Sequence, residues 1–347
     1  MKNYLFGKTL SQLQELVQEL QLPKFTAKQI AHWLYNSDIS SIDEMSNLSK
    51  KARVLINEKY IFGLQQPMKV SESADGTKKY LFKVGETNFI EAAFIPEENR
   101  KTLCVSSQVG CKMGCKFCAT GKQGFQSHLT TNEILNQLRS IPEFSTVSNL
   151  VYMGMGEPLD NLDNVMNSLE ILTSEWGYAW SPKRINVSSI GVVPAMKYFI
   201  EHSNCHLAIS LHNPFDEERS AIMPVNNKYS IKEIIDELRK NEFGRQRRIS
   251  FEYIVFNGLN DTPRHSKELV RLLNGMRCRI NLIRWHQIPG ADFPGTDETR
   301  LIDFQNELKA KGITTTIRAS RGEDIEAACG LLSTKELMKV KVNVAKL

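Results

Sequence analysis

The sequence predicts an α/β protein, a partial (β/α)6 barrel preceded by a small N-terminal helical accessory domain. Two patterns predict this architecture. From about residue 100, strand-like and helix-like segments alternate, and repeating βα units imply a parallel sheet. Before residue 70, apolar residues recur at helical spacing. Roughly six core units fit the available length, so a complete eightfold barrel would need two more strands.

Residues 1–70 are expected to form the helical domain. Thr9 or Ser11 is expected to cap the first helix and Thr26 the second, because hydroxyl side chains accept hydrogen bonds from free amide groups at a helix start. The third helix is expected to run from Ser41 to Tyr60.

Residues 71–98 predict a β-hairpin linker between the two domains. Its strands are expected at Lys79–Val84 and Phe89–Ile95, with the turn-forming Gly85 and Asn88 between them.

Residues 99–347 are expected to form the barrel. The expected strands are Thr102–Ser106, Asn149–Met153, Ile185–Ile190, His206–Leu211, Ser250–Phe256, Arg279–Trp285 and Ile313–Ala319. The expected helices include Asn132–Arg139, Asn161–Leu172, Ile231–Lys240, Ser266–Leu273 and Arg300–Lys309.

Chemically unusual residues follow these strands. In such barrels the chemistry lies on the loops that leave the carboxyl ends of the strands. The residues expected on this rim, in chain order, are Cys111, Cys115, Cys118, Gly154–Pro158, Ser188, Ser210–His212, His286 and Cys329.

Three cysteines, Cys111, Cys115 and Cys118, form a C-x3-C-x2-C motif. Three thiolates can hold a metal or a cluster, but a closed zinc or iron–sulfur site takes four protein ligands. The missing ligand would leave an open position, as in catalytic metal sites. A zinc site completed by a distant Cys or His, or three ordinary buried thiols, are the alternatives.

The composition favours a globular protein of the cytoplasm. Of 347 residues, 41% are hydrophobic, and no apolar run reaches the length of a membrane span. The N-terminus turns polar too early for a signal peptide. Seven cysteines, an odd number with three clustered, indicate thiol chemistry in a reducing compartment.

The net charge of +5 permits a nucleic-acid partner without requiring one. A solvated charged face is the alternative for each local basic stretch. These stretches are Lys50, Lys51 and Arg53; Lys78 and Lys79; and Arg245, Arg247 and Arg248.

Four longer motifs resemble one family. They are Thr102-Leu-Cys-Val-Ser-Ser-Gln-Val-Gly-Cys111, Cys118-Ala-Thr-Gly-Lys-Gln-Gly-Phe125, Gly154-Met-Gly-Glu-Pro158 and Asp324-Ile-Glu-Ala-Ala-Cys-Gly330. The chain resembles the RlmN/Cfr family of radical S-adenosylmethionine (SAM) RNA adenosine methyltransferases over its whole length. The continuation Gln123-Gly-Phe125 is more similar to the RlmN branch, which methylates carbon 2 of adenine, than to the Cfr branch, which methylates carbon 8.

The resemblance implies cofactors and residue roles. A [4Fe–4S] cluster would be held by Cys111, Cys115 and Cys118, with SAM on its free iron. Cys329 would be the cysteine that is itself methylated, and Cys104 the thiol that releases the product. Glu91 would accept a proton, with a solvated surface acid as the alternative. The SAM contacts implied are Gly156, Glu157, Ser188, Ser210, Leu211 and His212.

One position departs from the family pattern. His286 stands where the family commonly has an asparagine that contacts SAM. An imidazole can form a similar hydrogen bond, although it titrates near neutrality. His286 is therefore included among the expected SAM contacts.

The resemblance also implies partners. The substrate would be an adenosine of 23S ribosomal RNA in the peptidyl-transferase region, with adenosine 37 of tRNA as a second substrate. A flavodoxin or ferredoxin would supply electrons to a monomer that contacts no membrane. The alternatives are a carbon-8 methyltransferase, a zinc-stabilised RNA-binding protein without catalysis, and a radical SAM enzyme with another substrate.

Overall fold

The computed structural model describes residues 3–241, 243 and 247–334. Arg245 of the third basic stretch and the outermost residues of the two predicted domains therefore lie outside the described residues. Within the described ranges, no helix combines the length and the apolar character that crossing a membrane requires.

The N-terminal part contains three α-helices and a short parallel strand pair. Its elements are β1 (Asn3–Tyr4), α1 (Leu10–Glu19), α2 (Thr26–Tyr35), α3 (Lys50–Lys59) and β2 (Tyr60–Ile61). Thr9 caps α1 as expected, and its side chain and that of Gln12 form a reciprocal capping box.

Two predictions about these helices are wrong. Thr26 does not cap α2, because Phe25 is the N-cap residue and Thr26 is the first, buried residue of the helix. The third helix does not start at Ser41. A 3₁₀ turn at Ile42–Glu44 comes first, and α3 starts only after Ser49, whose hydroxyl accepts from the Ala52 amide.

Three antiparallel strands follow. They are β3 (Lys69–Glu72), β4 (Lys78–Val84) and β5 (Asn88–Glu97). The two predicted strands pair as a hairpin. The hairpin also continues the barrel sheet, because Ala93 of β5 pairs with Cys104 of the next strand.

The remaining described residues form the partial barrel. Its strands are β6 (Arg100–Cys104), β9 (Asn149–Tyr152), β10 (Ile185–Ser189), β11 (His206–Ser210), β12 (Ile249–Val255), β13 (Cys278–Arg284) and β14 (Thr315–Ile317). Two short strands between β6 and β9, β7 (Gln108–Val109) and β8 (Ser127–His128), pair with each other in a separate antiparallel sheet. Its helices are α4 (Ala119–Gln123), α5 (Thr131–Arg139), α6 (Leu162–Thr173), α7 (Val193–His202), α8 (Asp216–Ile222), α9 (Ile231–Arg239), α10 (Pro263–Leu273) and α11 (Glu298–Ala310).

The sheet order is β14-β13-β12-β11-β10-β9-β6-β5-β4-β3, and all neighbours from β6 to β14 are parallel. Helical crossovers join these parallel strands, and the described strands do not close into a ring. The predicted partial barrel is confirmed. Helices α4, α7 and α8 were not predicted.

The helices press their apolar faces against the sheet. In α9, Ser230 and Glu233 form a capping box, and Ile234 is buried where it meets the end of β10. Gly191, at φ +95°, leaves room for that side chain, since a Cβ there would lie 2.3 Å from the Ile234 Cδ1. Burying one such isoleucine stabilises the fold by about 1.5–3 kcal/mol.

Candidate active site

The carboxyl ends of the barrel strands surround two adjoining cavities. The first, of about 150 Å³, is lined among others by Cys111, Cys115, Cys118, Gly156, Glu157, Ser188, Ser210, His212 and Cys329. The second, of about 100 Å³, is lined among others by Cys104, Cys118, His286, Arg318 and Cys329. Residues far apart in sequence therefore meet at one rim, as the strand pattern predicts. We call these the triad cavity and the thiol cavity.

The three cysteines of the motif share the triad cavity. Cys115 is buried, Cys111 and Cys118 are partly buried, and Cys118 begins α4 as its N-cap residue. Burial, together with the nearby Glu157 and Cys118, raises the pKa of the Cys111 thiol to about 12. Three such thiols can ionise together only beside a cationic centre, which a metal or iron–sulfur cluster provides.

The chemistry of these three side chains suits an iron–sulfur cluster. All three cysteines line one cavity, and thiolates are the ligands that hold such clusters in proteins. A [4Fe–4S] cluster takes four ligands, so three thiolates would leave one iron without a protein ligand.

Glu157 provides a buried carboxylate in the same cavity. Its Oε1 accepts from the Leu159 amide and its Oε2 from the Ile190 amide, both at 3.0 Å. Burial raises its pKa to about 7 despite these hydrogen bonds. The neighbouring Gly156 has φ +99°, and a Cβ there would lie 2.5 Å from the Gln108 Cβ. Only glycine therefore lets this turn bring Glu157 to the cavity.

His212 adds a neutral hydrogen-bond donor to the wall of the triad cavity. Its Nδ1 accepts from the Ile254 amide at 3.0 Å, so the proton of the neutral ring lies on Nε2. Burial, reinforced by the charge of Arg219, lowers its pKa to about 3. The ring packs edge-on against Phe117 at 4.8 Å, which fixes it beside the cysteine loop.

Arg219 lies fully buried beneath this wall. Its guanidinium donates to the carbonyl oxygens of Ile190, Leu211 and Ser210 and to the side chain of Asn226, at 2.6–3.0 Å. These bonds tie together the loops that leave β10 and β11. Sequence reasoning missed Arg219, because an arginine in an acidic helix such as α8 looks like a surface residue.

Cys104 and Cys329 belong to the thiol cavity together with Arg318. Burial raises the pKa of the Cys104 thiol to about 12, and the nearby Cys329 raises it while Arg318 lowers it. Among the neighbours of Arg318, Cys329 raises the pKa of the guanidinium most strongly. Arg318 therefore supplies positive charge to both thiols. Sequence reasoning missed it, although a charged residue at the end of a predicted strand was a usable signal.

The loop that carries Cys329 is tied at both ends. At its start, Asp324 accepts from the Ser73 hydroxyl at 2.5 Å and from the Ala74 amide at 3.2 Å. At its end, the Gly330 carbonyl accepts from the Ala119 amide at 2.9 Å, next to the cysteine motif. These bonds hold the loop where Cys329 lines both cavities.

Glu91 is buried, so its alternative interpretation as a solvated surface acid is wrong. Its carboxylate pairs with the Lys79 ammonium at 3.1 Å and accepts from the Ser333 amide at 2.9 Å. Burial raises its pKa, and Lys79 opposes that shift. It lies outside the linings of both cavities, on the face of β5 that also carries Ala93 and Ile95.

Comparison with known proteins decides the family. A profile of the radical SAM superfamily matches residues 105–270, and one of the ribosomal RNA large subunit methyltransferase N-terminal domain matches residues 3–61. A protein of Bacteroides fragilis strain YCH46, called a probable dual-specificity RNA methyltransferase RlmN, is 56% identical over 95% of this chain and 96% of its own length. The chain belongs to the RlmN family.

Other members of the RlmN family and a solved structure agree with this assignment. The dual-specificity RNA methyltransferase RlmN of Syntrophus aciditrophicus is 40% identical over 95% of this chain and 96% of its own length. The crystal structure of a radical SAM methyltransferase from Sphaerobacter thermophilus is 36% identical, with a TM-score of 0.88, and covers 95% of this chain and 99% of that one.

Leu211 and His286, two SAM contacts expected from the RlmN family pattern, are outside the lining of the triad cavity. The Leu211 side chain is packed in the hydrophobic core, and its carbonyl oxygen accepts from Arg219. His286 lines the thiol cavity, where its Nε2 is 2.9 Å from the Ser320 hydroxyl and its Nδ1 is 3.7 Å from Glu323. Neither side chain belongs to the lining of the triad cavity.

Proposed function

We propose that this protein methylates carbon 2 of an adenosine in 23S rRNA, in the peptidyl-transferase region, and adenosine 37 of tRNA. The reaction would consume two SAM molecules and pass through a methylated cysteine. One observation carries the proposal: Cys104 and Cys329, two thiols outside the cysteine motif, line one cavity that adjoins the triad cavity. A conventional methyl transfer from SAM would need neither thiol.

The triad cavity is the proposed seat of SAM. Glu157 would accept a hydrogen bond from the SAM amino group, since an ionised carboxylate is a strong acceptor. Ser188, Ser210 and the Nε2–H of His212 offer further polar contacts on the same wall. A [4Fe–4S] cluster, when bound to the three motif thiolates, would supply the electron that splits SAM into methionine and a 5′-deoxyadenosyl radical.

Cys329 is the proposed methyl carrier. Its thiolate would attack the methyl carbon of a first SAM, forming a carbon–sulfur bond as S-adenosylhomocysteine leaves. Arg318 would stabilise that thiolate by its charge. A radical made from a second SAM would then remove a hydrogen atom from the S-methyl group, and the remaining methylene carbon would bond to carbon 2 of the adenine.

Cys104 is the proposed resolving thiol. The adduct would first lose the ring proton and one electron, which an oxidised cluster would accept. The Cys104 thiolate would then attack the sulfur of Cys329. The electron pair of the broken carbon–sulfur bond would go to the methylene carbon, which would take up a proton and become the methyl group. The methylated RNA would leave, and an external reductant would reduce the Cys104–Cys329 disulfide. Glu91 stays a predicted proton acceptor, and its ion pair with Lys79 would have to open first.

RNA binding is proposed for the N-terminal domain and the rim. Lys50 and Lys51 are exposed on α3 and available for phosphate contacts. Lys78 and Lys79 are less available, because both are already ion-paired to carboxylates. The target base must leave its stack to reach the cavities, at a cost of a few kcal/mol. A monomer and a flavodoxin or ferredoxin donor remain part of the proposal.

Nucleoside mass spectrometry tests this function. Anaerobically prepared, cluster-containing enzyme is incubated with SAM, a reductant and either a 23S rRNA fragment or tRNA. We expect 2-methyladenosine from both RNAs, and none with a Cys329→Ala variant that still cleaves SAM. Finding 8-methyladenosine would establish the carbon-8 alternative. Metal analysis that finds zinc in place of iron and sulfide would favour the non-catalytic alternative.

A further inference from the structure

A larger cavity opens at the opposite end of the barrel. It measures about 650 Å³ and is lined by the first residues of the parallel strands, at their amino ends. Met153, Glu252 and Arg318 line this cavity and the triad cavity alike, so they form the floor between the two. Arg318 closes that floor by contacts with Glu252 at 3.7 Å and with the Met153 sulfur at 3.0 Å. The reaction proposed above uses none of the amino-end residues.

The wall of this cavity is strongly basic. Arg100, Lys183, Arg248 and Arg279 lie at the amino ends of four strands, β6, β10, β12 and β13, and all line it. Among the residues that the structure describes, the charged groups of these four side chains form no hydrogen bond and no ion pair. We call these four residues the basic quartet. Arg100, Lys183 and Arg248 are exposed and Arg279 is partly buried, and all four border the same concave space.

The groups of the quartet repel one another. The concave wall lowers the pKa of Arg100 by desolvation, Glu97 opposes this, and Arg318 and Arg248 lower it further. Desolvation and Arg248 also lower the pKa of Arg279. A site that keeps uncompensated like charges together is stabilised when an anion enters it.

The neighbouring polar groups do not neutralise this charge. Glu252 already accepts from Asn281 at 2.7 Å and from Ser250 at 3.2 Å, and it faces Arg318. Desolvation and several arginines lower the pKa of His206 to about 4, so its ring adds no charge near neutral pH. The positive potential of the cavity therefore remains available to a ligand.

Arg184 lines the same cavity but serves the fold. Its guanidinium donates to the carbonyl oxygens of Ser148 at 2.5 Å and Val147 at 2.8 Å, and it stacks on Trp180 at 4.1 Å. These contacts give Arg184 a structural role. Among the described residues, the charged groups of the basic quartet form no such hydrogen bonds.

We propose that the basic quartet binds a small anion that carries two or more phosphoryl groups. The cavity has the size of a small-molecule site. Arginine forks match phosphate oxygens bidentately, and several forks on one concave wall favour more than one phosphoryl group. The backbone of the RNA substrate also carries phosphate groups. A free anion is the better candidate for this cavity, because the target base of the RNA has to enter at the opposite end of the barrel.

Calorimetric titration with inorganic triphosphate tests this site. The cluster-containing protein is titrated at physiological ionic strength, alongside the double variant Arg248→Gln/Arg279→Gln. The matched control is Lys197→Gln/Lys267→Gln, which removes the same charge from exposed positions on α7 and α10. We expect one triphosphate site in the wild type and in the control, and at least ~10-fold weaker binding in the quartet variant, because charge-assisted hydrogen bonds are lost. SAM binding should be equal in all three proteins, which verifies their folding.

Three results would overturn the proposal. The first is the absence of triphosphate binding to the wild type. The second is an equal loss in the Lys197/Lys267 control, which would indicate attraction by net charge alone. The third comes from a parallel titration with a short single-stranded RNA. If the quartet variant weakens RNA binding and leaves triphosphate binding unchanged, the cavity holds the RNA backbone and no free anion.

Discussion

Replacing Glu157 by glutamine should change how SAM binding depends on pH. In the ligand-free protein the pKa of Glu157 is raised to about 7 by burial. If the ionised carboxylate receives the SAM amino group, binding requires deprotonation. At pH 6 only about a tenth of this group is ionised, so from pH 6 to pH 8 this group alone should strengthen SAM binding about tenfold. The sign follows from the raised pKa: affinity rises with pH and levels off above pH 7.

The glutamine variant isolates this effect. The SAM amino group also titrates, but it does so equally in both proteins. The wild-type increase in affinity should therefore exceed that of Glu157→Gln by about tenfold. At pH 8 the variant should bind SAM more weakly by about 2 kcal/mol or more, since one member of a buried charged hydrogen bond is lost.

Equilibrium dialysis of radiolabelled SAM against anaerobic, cluster-containing protein measures both quantities. Glu58→Gln, an exposed position on α3, is the matched control and should follow the wild type. If SAM affinity depended on pH identically in the wild type and in Glu157→Gln, Glu157 would not be the carboxylate that accepts a hydrogen bond from the SAM amino group.

Three further predictions concern the cavities. Cys115→Ala should lose its iron and its SAM cleavage together. The control Cys278→Ala should keep both, because Cys278 is outside both cavity linings. Full iron content in Cys115→Ala would contradict the assignment of these thiols to the cluster. Cys104→Ala should still methylate Cys329 but accumulate an RNA–protein crosslink, seen as a nuclease-sensitive band on a denaturing gel. Normal turnover by this variant would show that Cys104 is only a core residue. Arg219→Met should lower the free energy of unfolding by about 3 kcal/mol or more, because three buried acceptors and one partly buried acceptor lose their donor. Thermal unfolding measures that loss, and an unchanged midpoint would contradict the bridging role of Arg219.

Local sequence patterns predicted the parallel strands well, because a strand buried by flanking helices is apolar and ends at a turn. Strand β12, buried along its whole length, was expected at Ser250–Phe256 and lies at Ile249–Val255. Helix starts were harder to predict. Thr9 and Thr26 look equally suited as caps, yet only Thr9 caps, since the chain before Thr26 is already turning in a helical conformation at Phe25.

The sequence by itself determined the kind of chemistry and the end of the barrel where it lies. Three cysteines in a fixed spacing, glycines before an acid and two further thiols after strands are local facts, and parallel strands must bring their carboxyl ends together. These facts were sufficient to place Cys111, Glu157 and Cys329 on one rim.

Only the tertiary structure decided which side chains reach the cavities. Leu211 turns into the core, His286 joins the thiol cavity, and Glu91 is buried against Lys79. The basic quartet likewise exists only after folding, because its members come from distant segments that meet at the amino ends of the strands. Burial and charge depend on neighbours supplied by other parts of the chain, and no spacing within one segment encodes them.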